Sequence, residues 1–347
     1  KPDRRQRQMC IRDRREKSFF ALTNFADMED VDCVIVGAGI SGLITARRLA
    51  DAGVSTMVFD KGRSVGGRLA TRRIGEARLD HGAQFMTARS ESFATQLEDW
   101  QQRGLADIWC HGFESDDGHP RWIGMNGMNS LAKDLAEGID VRTDHRVFST
   151  TWDRGKWSVT CDDAQTVTAS TLVLTAPIPQ SFSFVFETVE TLPRELWSAD
   201  HDRTIALLAS LDGPSALTGS GARHEPSDDV AFVVDHAVKG ISPIPAITMN
   251  TSPEWSERFW DAPTDEIEAA LNELIAPFLG SAHVVEQQVK KWRFATPRAT
   301  WSTPCWSDND FQLVVAGDAF GGPRVEGAFL SGVAAAETIT EWCTQRR

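Results

Sequence analysis

Two glycine-rich stretches hold the residues whose types and spacing point most directly to chemistry. In "VIVGAGISG" (residues 34–42), Gly37, Gly39 and Gly42 form a GxGxxG spacing after an apolar run, with Ser41 inside it. In "VVAGDAFGGPRVEGAFLSG" (residues 314–332), Gly317 and Asp318 follow an apolar run and Gly327, Ala328 and Phe329 open a second helical pattern. Small residues at such a turn let the backbone approach a pyrophosphate, and the following helix presents unpaired N–H groups to it. Asp60, ending the next apolar run "STMVFD", can accept from a ribose hydroxyl. Strand, glycines, helix and acid together predict a dinucleotide-binding unit. The chain has no GxSxG, no HExxH and no evident Cys/His pair, so no triad or zinc-hydrolase chemistry is signalled.

Composition narrows the class. At 347 residues the chain is too long for one simple core and predicts two intertwined domains. Its net charge of -13 argues against nucleic acid or an anionic membrane surface as the main partner. The basic residues concentrate in "KPDRRQRQMCIRDRREK", where Asp3, Asp13 and Glu16 fit a transit peptide poorly. Its "MCIRDR" resembles translated adapter read-through, and Met28 is a more natural start. Residues 1–27 are therefore expected to be a non-native or disordered tail. The six cysteines show no CxxC and no pairing with His, as expected of reduced thiols in a cytoplasmic protein. The longest uncharged run is too short to span a bilayer.

The elements that must hold the two turns follow from periodicity. An apolar run at residues 31–36, a helical pattern closing at Gly53 and "STMVFD" predict a βαβ unit. Further helices are expected from Ser90 to Gly104 and in "GMNSLAKDLAEG", with Asn126 or Asn129 as cap and Gly138 as terminator. "RVFSTTW", "KWSVTCD", "QTVTAS" and "TLVLTAP" predict a meander of short strands. "TIALLASL", "VAFVVD" and "AITMNT" read as strands of a second sheet, accompanied by an amphipathic helix over residues 264–278.

The ordered set "DKGRSVGGRLATRR", "DHGAQFMTA", "WIGMNGMNSLAKDL", "LVLTAPIPQ", "KKWRFATP" and "GDAFGGPRVEGAFLSG" resembles renalase-like FAD proteins of the amine-oxidase-like flavoprotein superfamily. The resemblance implies an α/β fold: a Rossmann-like FAD-binding domain of parallel sheet plus β-meander, with an inserted α+β substrate domain. On that reading residues 28–90, 127–180 and 295–347 form the FAD domain, and 91–126 with 181–294 the substrate domain. It also answers why two turns are needed, since an extended FAD has two ends to support. Gly37, Gly39, Ser41 and Gly42 would face the pyrophosphate, with Gly67 and Arg68 beside it. Asp60, with Lys61 adjacent, would take the adenosine ribose, and Val147 would lend backbone bonds to the adenine. Gln84 and Phe85 would lie along the flavin. Gly317 and Asp318 would reach the ribityl–phosphate region, and the helix opening at Gly327, Ala328 and Phe329 would stabilise negative charge on the ring. No tethering Cys or His stands in these motifs, so the FAD is expected to be non-covalent.

The resemblance further implies oxidation of misreduced 2- or 6-dihydro isomers of NAD(P)H by hydride transfer to flavin N5, with oxygen as acceptor. Such transfer needs no general base, because the donor becomes an aromatic pyridinium; orientation is the protein's task. Trp292, Asn250 and Arg324 are the candidates on the substrate side: a ring wall, a carboxamide partner and a phosphate anchor. Each has a plainer reading, as core, turn and salt-bridge residue. Lys290 or Lys291 could sit near N5, although two adjacent exposed lysines is the duller account. A flavin amine oxidase or desaturase of the same fold is one alternative. The chain has no Tyr and 12 Trp, which weakens the Tyr-rich amine cage that reading favours. The other is a non-catalytic binding protein of this architecture, against which the Asp60, Arg68 and Asp318 set argues.

Overall fold

The structure is a computed structural model that describes residues 29–193, 195 and 199–345; the basic tail and Met28 lie outside the described residues. β1 (Glu29–Val36), α1 (Ile40–Asp51) and β2 (Thr56–Phe59) form the expected βαβ unit. β3 (Thr71–Ile74) and β4 (Ala77–Asp80) pair as a hairpin. α2 (Glu91–Gln102) is capped by Ser90, whose side chain accepts from the Phe93 N–H. β5 (Ala106–Cys110) and β6 (Arg121–Gly124) pair next, followed by α3 (Asn129–Ala136) and β7 (Asp140–Arg142).

The meander is β8 (Val147–Asp153), β9 (Lys156–Cys161) and β10 (Thr166–Leu174). Two expectations change here. "QTVTAS" and "TLVLTAP" are one strand, because β10 pairs with β9 through its first half and continues between β1 and β17 (Leu313–Val315). Neither Asn126 nor Asn129 caps α3. Instead Asp80 Oδ1 accepts the Met128 N–H at 2.9 Å and Thr71 Oγ1 accepts the Asn129 N–H at 3.0 Å, so residues of the hairpin cap this helix. The main sheet runs β16 (Trp306–Asp308)–β17–β10–β1–β2–β7, parallel except at β16 and the meander. α7 (Val325–Gln345) lies on α1, where Thr45 Oγ1 donates to the carbonyls of Ser41 and Gly332. A Cβ at Gly332 would collide with the Ser41 carbonyl. That close crossing sets the two glycine turns side by side.

After α4 (Ile178–Val185) the chain builds a second, antiparallel sheet. Its strands are β11 (His201–Leu211), β12 (Ala222–Ser227), β13 (Val230–Asp235), β14 (Ala246–Thr251) and β15 (Val284–Pro297), ordered β12-β13-β14-β11-β15. α5 (Pro253–Arg258) and α6 (Thr264–Leu279) lie between β14 and β15. Side chains alternate across a strand. Ile205, Leu207 and Ala209 pack with Ile267, Leu271 and Ile275 of α6. Ala206 and Leu208 point the other way, onto Ile74, Ala77 and Leu79 of the hairpin. Register sets Trp292 opposite Thr204, and both Asn250 and Lys290 opposite Ala206. Thr204, Asn250, Lys290 and Trp292 thus share the face turned towards the first domain. Trp292 stands inside β15. Lys290 is half-buried on this inner face, while Lys291 is exposed on the other and donates to the Trp260 carbonyl at 2.6 Å. The two lysines are therefore not an equivalent exposed pair.

Candidate active site

The first glycine turn is held from three sides. Gly37 adopts φ +111°, a conformation that side chains resist, and its N–H donates to the Phe59 carbonyl at 2.8 Å. Thr175, at the end of β10, donates its hydroxyl to the carbonyls of Val36 and Gly37 at 3.1 and 3.0 Å. A Cβ at Gly42 would run into the Gly37 carbonyl, so the helix start packs directly on the turn. Asp60 accepts the Ala38 N–H and the Gly62 N–H, each at 2.7 Å, which ties the acid to the glycine turn. The Ser41 hydroxyl is buried without a partner, and a Cβ built at Gly39 would meet nothing within 4 Å. An unspent hydroxyl beside open space at a helix N-terminus fits a phosphate-bearing cofactor.

The second turn faces the first. Gly317 donates its N–H to Ser331 Oγ at 2.8 Å. Arg68 forks onto Asp318 with Nη1–Oδ2 at 2.6 Å and Nη2–Oδ1 at 2.7 Å, and also reaches the Ala295 carbonyl at 3.2 Å. Glu326, buried in the first turn of α7, accepts with one oxygen from the N–H groups of Arg89 and Ser90 and from the Ser90 hydroxyl. It thereby pins this helix to the α2 entrance. A Cβ at Gly327 would collide with the Gly322 carbonyl.

A cavity of about 400 Å³ opens between the turns and the inner face of the second sheet. Gly39, Ser41, Arg68, Gly317, Asp318 and Ala328 line it from the turns. Gln84, Phe85, Asn250, Trp292 and Arg324 complete it from the other elements. The remaining expected residues stand outside its lining. Gly37, Gly42 and Gly67 shape the turns behind it, with Gly67 packed against Gly39. Asp60 sits behind the loop, and Lys61 is exposed and donates to Gln180 Oε1 at 3.2 Å. Val147 is a core side chain at the start of β8, packed with the meander. Gly327 and Phe329 lie beneath Ala328, and the Phe329 ring packs on Phe93 at 5.0 Å between centroids. Phe329 therefore serves the core, and the Ala328 N–H is spent on the Arg324 carbonyl at 3.0 Å.

Several groups at the site went unnoticed in the sequence. His81 lines the cavity, its ring stacks on Trp292 at 5.3 Å and 25°, and its carbonyl accepts the Trp292 Nε1–H at 2.8 Å. Gln84 donates its amide to the carbonyls of Asp80 and Gly82 at 2.8 and 3.2 Å, which orients Oε1 with no partner of its own. Asn250 Oδ1 is likewise buried and unpartnered. Behind this wall Lys239 and Asp80 form an ion pair at 2.8 Å with both side chains fully buried. His236 donates to or accepts from the Thr248 hydroxyl at 2.7 Å nearby. Only "DHGAQF" and the lone Lys239 could have signalled these groups, and neither says what it meets.

Burial, reinforced by the Lys290 charge, lowers His81 from the ordinary 6.5 to about 4, with Asp80 opposing and Arg72 adding to the effect. Burial and Lys239 push His236 in the same direction. Both rings are neutral in the fold near neutral pH. A lowered histidine leaves stability complete above pH 6.5 and removes it as pH falls towards 4, because the unfolded chain takes up the proton first. For His81 this loss is on the order of 3 kcal/mol by pH 4. Denaturant unfolding at pH 7, 6 and 5 is expected to show it, with a shallower slope in His81→Asn. Equal slopes in the two proteins would rule out His81 as a source of acid sensitivity.

Comparisons with known proteins agree with this architecture. Residues 35–99 match the NAD(P)-binding Rossmann-like domain, and residues 101–340 match the flavin containing amine oxidoreductase family. Among curated proteins, the chain is 25% identical over 159 residues to an acetone monooxygenase (methyl acetate-forming) of Gordonia sp. (strain TY-5), covering 44% of the chain and 27% of that protein. It is 32% identical over 76 residues to an L-amino acid dehydrogenase of Synechocystis sp. (strain ATCC 27184 / PCC 6803 / Kazusa), covering 22% and 16%. The matched stretch spans about a quarter or less of either relative's length. Cyclohexylamine oxidase from Brevibacterium oxydans IH-35A has the same fold, with a TM-score of 0.71 at 16% identity over 92% of this chain and 100% of that one. Among the described residues no helix is long and apolar enough to cross a membrane. With the family model spanning most of the chain, and two glycine turns converging on one cavity, the protein belongs to the flavin containing amine oxidoreductases.

Proposed function

We propose that this protein oxidises 2- or 6-dihydro isomers of NAD(P)H, with oxygen as the final acceptor. The observation that carries the reading is Trp292, a flat wall held rigid by its hydrogen bond to the His81 carbonyl and its stack on His81, on the inner sheet face of the cavity. A wall of this kind suits a planar donor ring. Arg324 is exposed and lines the same cavity, a cation available for a dinucleotide phosphate. A protonated amine would find the cavity carboxylates engaged: Asp318 by Arg68, and Glu326 by three donors.

In this proposal Ser41 and the start of α1 hold the pyrophosphate of a non-covalent FAD, with Gly37, Gly39, Gly42 and Gly67 giving the backbone room to approach. Arg68 and Asp318 flank the phosphate and ribityl region, Asp60 takes the adenosine ribose with Lys61 at its edge, and the Val147 backbone meets the adenine. Gln84 and Phe85 border the ring, and the helix that runs through Gly327, Ala328 and Phe329 turns the positive end of its dipole to the ring's polar edge. Bound FAD supplies the two-electron acceptor for the donor's hydride. The chain's own contribution is orientation and exclusion of water: Trp292 fixes which ring carbon approaches, Asn250 meets a polar substituent, and Arg324 anchors the distal phosphate.

Anaerobic stopped-flow spectroscopy with each dihydronicotinamide isomer and a panel of amines tests this. Fast bleaching by the 2- or 6-dihydro forms and slow bleaching by ordinary 4-dihydro NADH is the expected result. Trp292→Ala should narrow the preference between isomers, because the wall sets the ring offset. Faster bleaching by any amine than by every isomer would remove the proposed substrate and leave the fold intact.

A further inference from the structure

The β3–β4 hairpin and the turn before it concentrate positive charge that the cofactor site does not use up. Residues 61–78 hold Lys61, Arg63, Arg68, Arg72, Arg73 and Arg78 against one acid, Glu76, in a chain whose net charge is -13. Among the described residues only Arg68 of these six is ion-paired, to Asp318. Like charges held close repel, and an anion seated among them relieves that cost.

Lys290 joins this group from the second sheet. Gln288, Lys290 and Trp292 share the inner face of β15, opposite Leu208, Ala206 and Thr204. Arg72 meets that face through Nε, which donates to Gln288 Oε1 at 3.1 Å and leaves the two terminal nitrogens of the fork unspent. The Lys290 ammonium makes no hydrogen bond among the described residues and is not sealed from solvent. Arg63, from the loop after β2, is exposed, while Arg72 and Lys290 are half-buried. Burial, then the Arg72 and Arg63 charges, lowers the affinity of Lys290 for its proton, so three cations from three elements lie within electrostatic reach of one another. Trp292 stands two residues along the strand from Lys290, about 7 Å away. Lys290 and Arg72 also act on His81 in the cavity wall. The cations therefore adjoin the cavity beside its flat wall.

We propose that Arg63, Arg72 and Lys290 form a phosphate-binding site next to the cavity, separate from the glycine turns that cradle the cofactor. A planar fork beside a compact ammonium suits the several oxygens of a phosphate group. That phosphate is either free or carried by a dinucleotide whose ring stacks at Trp292; the second source rests on the function proposed above. In a dinucleotide this site takes the phosphate nearer the ring and leaves the distal one to Arg324.

Calorimetric titration of the FAD-loaded full chain with inorganic pyrophosphate at low salt tests the site. Saturable one-to-one binding is expected, weakened about tenfold by Lys290→Gln and by Arg72→Gln while the visible FAD band is unchanged. Arg154→Gln, which removes an exposed cation from the β8–β9 turn, should bind pyrophosphate as wild type does. No saturable binding, or equal weakening by Arg154→Gln, would overturn the proposal. So would FAD release by Lys290→Gln or Arg72→Gln, since the cations would then serve the cofactor. Nicotinamide mononucleotide against nicotinamide riboside separates the two sources. A preference of about tenfold for the mononucleotide, lost in Lys290→Gln, assigns the phosphate to a nucleotide. Equal affinities with pyrophosphate still bound assign the site to free phosphate, and then the dinucleotide donor fails while the phosphate site stands.

Discussion

Lys239→Met is expected to cost the fold about 3–5 kcal/mol, because it strands a buried carboxylate. Lys239 reaches from the loop after β13 to Asp80 at the end of the hairpin, and neither side chain is exposed to water. Burial alone lowers the ammonium's affinity for its proton, and the Asp80 charge opposes that. The pair survives because its other bonding capacity is filled. Asp80 also accepts from the Thr71 hydroxyl at 2.6 Å and from the Met128 N–H, and the Lys239 ammonium lies 5.5 Å from the centre of the Trp109 ring. Removing the cation leaves Asp80 dry, without a counter-charge and still holding the start of α3. Adding Asp80→Asn to Lys239→Met should recover part of the loss, since the amide oxygen can keep the helix contact without the charge. Denaturant midpoints of the two proteins check this. A single variant within 1 kcal/mol of wild type would mean that water reaches the pair.

The glycine turns were legible because their chemistry is local. A strand, three small residues, a helix start and an acid fall within about thirty residues, and each is demanded by the backbone's approach to a phosphate. β11, β13 and β14 were legible for a similar reason: buried strands write their burial into continuous apolar runs. β12 reads "ARHEPS" and β15 reads "VVEQQVKKWRFATP" because both are sheet edges, where charge is tolerated and guards against pairing with other chains. Nothing in those letters distinguishes strand from loop. The cap of α3 was misread because Asn129 has the right chemistry at the right place, yet Thr71 and Asp80 arrive from about fifty residues away to do the work. The same limit hid the inner wall of the site. His81 and Trp292 are separated by 211 positions and Asp80 and Lys239 by 159, and only the hairpin's seat against the second sheet brings either pair together.

Arg68→Ala is expected to weaken FAD retention by about 100-fold or more, as loss of a charge-assisted contact plus an unpaired acid would require. The guanidinium is divided between both oxygens of Asp318 and the Ala295 carbonyl, which orients it at the junction of the two turns. Truncation does two things at once. It removes the cation proposed to meet the pyrophosphate, and it leaves the Asp318 carboxylate facing that pyrophosphate with no counter-charge. The second effect can be isolated: Arg68→Ala with Asp318→Ala should retain FAD better than Arg68→Ala alone, although worse than wild type. Arg68→Lys should fall between, because a lysine restores charge without the planar fork that spans both Asp318 oxygens. Dissociation constants from titrating FAD into each apoprotein, followed by the visible band, give the order directly. If Arg68→Ala binds FAD as wild type does, the pair is a strut between the helical turn Gly67–Leu69 and the second glycine turn, and the pyrophosphate is held by Ser41 and the start of α1 alone.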